Sequence, residues 1–109
     1  MTGVVLKDRE TLSTDGVMIV GVGVNMKTKK VINGPDVQTR GLIYLKDADY
    51  IVKEVAAIIE GCIEAAVKEK RYDNLTVRGD ARDKITKYLM KETGKRPMVL
   101  PVIMEINVG

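Results

Sequence analysis

The chain has 109 residues, 45% of them hydrophobic and 30% charged, which is the balance of one folded domain and excludes a disordered segment. It has no histidine and a single cysteine, so the usual catalytic triads, most zinc-hydrolase sites and a disulfide framework are excluded. The net charge of +3 and the four dispersed tyrosines allow nucleic-acid contact only in an accessory role. Three phosphate contacts to a single strand give a salt slope of about −2, and a stacking platform needs several rings on one surface. No apolar run approaches the ~20 residues that span a bilayer, and residues 1–6 lack the pattern of a signal peptide. A cytoplasmic location with no membrane contact is expected.

Residues 1–15 read as a polar arm or linker remnant, closing on the turn signal Ser13-Thr14-Asp15-Gly16. The domain proper is expected over 16–109. A strand is predicted over 16–26, with Met18, Val20, Val22, Val24 and Met26 on one apolar face. The other face, Val17, Ile19, Gly21, Gly23 and Asn25, is thin enough for another backbone to approach. Lys27-Thr28-Lys29-Lys30 reads as a hairpin turn. The return strand, over 31–37, is interrupted by Asn33-Gly34-Pro35-Asp36, where a bulge or bend is expected because proline has no ladder donor. Leu42-Ile43-Tyr44-Leu45 reads as a further extended apolar stretch.

Two helices follow. The first is predicted over 48–70, capped by Asp47, with Ile51, Val52, Val55, Ile58, Ile59, Cys62, Ile63, Ala66 and Val67 as its apolar positions. Lys53, Glu60, Glu64 and Lys68 fall on the opposite side. The second is predicted over 74–93, with Gly94 as its left-handed terminator and a seam of Val77, Ala81, Ile85, Tyr88 and Leu89. Gly79 costs ~1 kcal/mol against alanine there, so a frayed or separate first turn is expected.

The last strand, over 97–106, is apolar on both faces and needs cover on both. The expected fold is α/β in the α+β sense: a mainly three-stranded sheet with two helices packed on one face. Two helices cover one face only, which makes Met98, Leu100, Val102, Ile103 and Met104 the candidate self-association residues.

Other motifs carry less. Gly21-Val22-Gly23 lacks the third glycine and the following helix of a dinucleotide loop, and reads as strand packing. Cys62 reads as a small buried hydrophobe, and Asp80 with Asp83 as part of a solvated helix face. Lys27, Lys29, Lys30, Lys95 and Arg96 are candidate weak RNA contacts, with ordinary solubility as the simpler reading. No catalytic, metal or cofactor-binding residue is expected in the chain.

Several stretches carry a resemblance to a known family. Leu12-Ser13-x-Asp15-Gly16 before a valine-rich strand resembles the entry to the C-terminal domain of ribonuclease J. Gly34-Pro35-Asp36 followed by Arg40-Gly41-Leu42-Ile43-Tyr44 is similar to that family's approach to the first helix. So is the final block, Thr93-Gly94-Lys95-Arg96-Pro97-Met98-Val99-Leu100-Pro101-Val102-Ile103-Met104-Glu105. The stretch 74–80 departs from the pattern in being more polar. The resemblance implies a parent nuclease of the metallo-β-lactamase class with a β-CASP insertion. Such a parent cleaves RNA as a 5′-to-3′ exonuclease and an endonuclease in RNA processing and decay. It holds two metal ions, usually zinc, on histidines and aspartates that this chain cannot supply. The implied role is non-catalytic: self-association as a homo-oligomer, a dimer by default, and contact with the catalytic and β-CASP domains, RNA being met through the parent. The alternative is a free-standing weak RNA-binding module.

Overall fold

A computed structural model describes residues 16–41 and 48–107. Three strands and two helices follow in the order β1 (Val17–Asn25), β2 (Lys30–Arg40), α1 (Ala48–Lys68), α2 (Asn74–Thr93) and β3 (Met98–Ile106). The sheet order is β2-β1-β3, with β1 antiparallel to β2 and parallel to β3, so the fold is the expected α+β arrangement.

Alternation along β1 sets the two faces. Met18, Val20, Val22 and Val24 are almost completely buried, and both helices lie on that side. α1 sends Ile51, Val55, Ile59, Cys62, Ile63 and Ala66 into the core, and α2 sends Val77, Ala81, Ile85 and Leu89. The latter series repeats every four residues, a narrow stripe for a helix wedged between α1 and β3. Burying a side chain such as Ile59 or Ile85 contributes roughly 1.5–3 kcal/mol relative to leaving it in water.

β2 runs further than expected, to Arg40, and carries the irregularity inside it. Val24 pairs with Val31 but Gly23 with Asn33, so Ile32 is an extra residue, and the register shifts again before Gly21 meets Asp36. Gly34 lies between these points with φ +76 and precedes a cis Pro35. A Cβ at Gly34 would sit 2.9 Å from both the Gly21 carbonyl oxygen and the Asp36 nitrogen, so the bulge admits no side chain there.

α1 stops at Lys68 rather than 70. The Arg71 N–H donates to the Ala66 carbonyl and the Lys70 N–H to the Val67 carbonyl, closing the helix with Lys70 in the left-handed region at φ 57. α2 ends on Gly94 as expected, at φ 72, its N–H donating to the Met90 carbonyl. The start of α2 differs from the sequence expectation: Asn74–Thr93 is one continuous helix, with Gly79 inside it. The Asp73 carboxylate explains this, since it accepts from both the Thr76 N–H at 2.9 Å and the Thr76 hydroxyl at 2.8 Å. The arm 1–15, the stretch Leu42-Ile43-Tyr44-Leu45 and the cap Asp47 lie outside the described residues.

Gly79 faces open space, and a methyl group added to its Cα would meet nothing within 4 Å. Gly79→Ala is therefore expected to stabilise the chain by about 1 kcal/mol, the full helix-propensity difference. Urea unfolding should show a raised midpoint with an unchanged slope.

Candidate functional site

The sheet face away from the helices is the first candidate. Parallel register with β1 puts Met98, Leu100, Val102, Met104 and Ile106 beside Val17, Ile19, Gly21, Gly23 and Asn25 on that face. Leu100, Val102 and Met104 remain 43%, 45% and 52% exposed. Gly21 contributes almost no height beside Val102 and has open space above it, whereas Gly23 is covered by the Asn33 and Ile106 side chains. β2 adds Asp36, Gln38 and Arg40 on the same side, since these pair with Gly21, Ile19 and Val17. Ile103 does not belong to this face. It sits in the core with Val99, 7% exposed, because strand alternation turns it toward the helices.

β3 is an edge strand, and its outer edge is guarded. Met98 donates to the Gly16 carbonyl and Ile106 accepts from the Met26 N–H, so the even residues of β3 bond to β1. The odd residues point their backbone groups outward. Pro101 is one of them, so its missing N–H forfeits no ladder bond and denies a donor to any added strand. Asn74 closes the next outward position, its Nδ2 donating to the Ile103 carbonyl at 3.1 Å and to Glu105 Oε2 at 3.2 Å. Arg78 Nε donates to Asn74 Oδ1 at 2.6 Å, and the Tyr72 hydroxyl donates to Glu105 Oε2 at 3.0 Å. Asp73 and Asn74 are the polar residues that sequence reasoning missed. The cap signal Asp73-x-x-Thr76 was there to find, whereas the Asn74 contact depends on tertiary placement.

The five basic candidates fall into two separate groups. Lys27, Lys29 and Lys30 surround the hairpin turn, beyond the end of β1. Lys95 and Arg96 precede β3, which is parallel to β1, so they lie at the opposite end of the sheet. A nine-residue strand separates the groups by roughly 30 Å. Lys29 instead keeps company with the end of α1, its ammonium 5.4 Å from the centre of the Tyr72 ring. A groove of about 560 Å³ between the hairpin and α1 is lined by Lys29, Lys30, Val31, Ile63, Glu64 and Lys68, among others.

Cys62 is buried as expected, and burial pushes its thiol above the ordinary value. Asp80 and Asp83 are exposed, and no group of three or more potential metal-ligating side chains occurs among the described residues. The Tyr88 hydroxyl is buried and has no hydrogen-bond partner among the described residues. No described helix is long and apolar enough to cross a membrane.

These features define an α+β module whose distinctive surfaces are an apolar sheet face and a basic hairpin groove. Residues 4–106 match the family described as the ribonuclease J C-terminal domain. Ribonuclease J 2 of Streptococcus pyogenes is 37% identical over 104 residues, covering 95% of this chain and 19% of that protein. Ribonuclease J 2 of Staphylococcus aureus (strain NCTC 8325) is 35% identical over 103 residues, covering 94% of this chain and 18% of that protein. The chain thus spans about a fifth of the length of the curated relatives it matches. It belongs to the ribonuclease J C-terminal domain family.

Tyr72 gives the polar network a measurable signature. Burial first, and then the hydrogen bond to Glu105, push its phenol up to about 12. The fold favours the neutral phenol, so this contribution is intact below pH 10 and is lost as the pH rises from about 10 to about 12. In an alkaline titration followed by tyrosinate absorbance, Tyr72→Phe should remove a phenol that ionises near pH 12.

Proposed function

We propose that this chain is the non-catalytic C-terminal module of a longer ribonuclease J-like nuclease, and that it pairs with a second copy through its open sheet face. The parent is a metal-dependent hydrolase of RNA, with two metal ions, usually zinc, held in its catalytic and β-CASP region. Pairing holds two such regions together and supports their activity in RNA processing and decay in the cytoplasm. The observation that carries this reading is the exposed apolar row Leu100, Val102 and Met104 on the sheet face that the helices leave uncovered.

A second copy suits this face by area and by charge. Three strands of about nine residues present about 30 by 14 Å, hence about 800 Å² over two copies. That lies below the ~1,200 Å² of stable complexes, so a weak dimer of micromolar affinity is the expected strength for this module alone. The β2 row carries Asp36 at one point and Arg40 four residues on. A two-fold axis brings the acid of one copy toward the base of the other, which makes the face self-complementary.

Val102→Glu puts a charge in the middle of this face without touching the core. Sedimentation velocity should show self-association weakened roughly tenfold or more, with circular dichroism unchanged. Sedimentation of the unaltered chain as a monomer at high micromolar concentration would refute the pairing. Ile103→Asp is the contrasting variant: it unfolds the chain by burying an unpaired charge against α2.

We expect no catalysis by the chain alone, because it has no histidine to serve as the usual general base or zinc ligand. The chain alone should leave a 5′-monophosphorylated RNA intact with zinc or manganese added. Metal-dependent cleavage by contaminant-free chain would overturn this.

A further inference from the structure

We infer that the groove between the hairpin turn and the end of α1 binds the phosphate backbone of single-stranded RNA, through Lys29, Lys68 and Lys70. This rests on the reading of the chain as part of a ribonuclease. Folding builds the groove from two stretches some forty positions apart in the sequence. Lys29 stands on one wall and Lys68 on the other, while Lys30, paired with Asn25, turns its side chain to the open face of the sheet. A neighbouring hollow of about 300 Å³ shares Lys29 and adds Lys70 and Tyr72.

Basic groups outnumber acidic ones there. Among the described residues, none of the three lysines makes an ion pair, whereas Arg71 close by is bound to Glu69 at 2.7 Å. Among the described residues lining the groove, Glu64 is the one carboxylate. Tyr72 fixes the position of Lys29, because its ring lies under the ammonium and its hydroxyl is held by Glu105.

The backbone makes the same point independently. Lys29 and Lys70 both adopt left-handed conformations, at φ 58 and 57. Glycine is the residue best suited to such positions, and α2 ends on one, Gly94. Lysine at both groove positions places charge where the backbone alone favours glycine. Compensation of the helix dipole accounts for Lys68 in the last turn of α1 but not for Lys29, which belongs to the hairpin. The floor, Val31 and Val67, is apolar and suits the flat face of a base or sugar. The groove is too small for a duplex.

The test is a fluorescence-anisotropy titration of a labelled oligouridylate with the 109-residue chain across a salt series. Three phosphate contacts give a slope of log affinity against log salt of about −2.1, or about twentyfold weakening from about 50 to 200 mM. Lys29→Gly combined with Lys70→Gly should bring the slope to about −0.7, with a thermal midpoint no lower than that of the parent chain. Lys68→Gln should bring it to about −1.4, whereas Lys87→Ala with Lys91→Ala on α2 should leave the slope unchanged. An unchanged slope in both groove variants, or an equal loss in the α2 variant, would overturn the site. So would displacement by polyglutamate as effective as by unlabelled oligouridylate, since the groove would then select acidic peptide. Sedimentation of the same samples separates the two ideas: loss of RNA binding with pairing intact concerns the groove alone, and binding by a monomer removes the pairing alone.

Discussion

With β2 along one edge and β3 along the other, β1 is the central strand of the sheet, and its two faces remain to be covered. The two faces are unequal. On one side Met18, Val20, Val22 and Val24 form a continuous apolar ridge, and the nine-residue strand is about 30 Å long. α1 and α2, of 21 and 20 residues, are also about 30 Å long, so each spans the sheet once. Two helices of this length saturate one face, and among the described residues no third element is left for the other. The open face is thus a consequence of length and connectivity, and Gly21 makes it shallow beside Val102.

The same central position decides how the sheet can meet another molecule. Growth by strand addition would use the outer edge of β3. Pro101 removes a donor there, and Asn74 occupies the Ile103 carbonyl while holding Glu105. Growth through the face meets no such obstacle. Leu100, Val102 and Met104 are apolar, exposed and carried by backbone that is already satisfied, which favours face-to-face pairing over edge-to-edge pairing.

Elements with a clear period were legible in the sequence. The alternation of β1, the helical spacing of both helices and the glycine after Thr93 placed the strands and helices to within a few residues. The bulge in β2 was legible from Asn33-Gly34-Pro35-Asp36, but its extra residue, Ile32, depends on pairing across strands. The unbroken start of α2 was not, because the cost of Gly79 is local and obvious while the Asp73 cap that outweighs it is easily passed over. Within the candidate face, alternation already set Ile103 apart from Leu100, Val102 and Met104, and the core claims it. The grouping of Lys68 and Lys70 with the hairpin lysines was not legible. It arises only when α1 packs across the end of β2, and no local pattern encodes that placement.

The two surfaces lie on opposite sides of the sheet. The groove is bounded by Val31 of β2 and by Ile63 and Val67 of α1, which belong to the helix layer, while Leu100 and Val102 face away from it. Pairing through the open face therefore leaves both grooves of a dimer uncovered. A single groove with three lysines would be a weak and salt-sensitive site. On the proposed pairing, two grooves would meet one RNA at a high effective concentration, so the second contact would add affinity without any new residue. In that arrangement a modest charge on each copy suffices, because the sheet face supplies the multiplication.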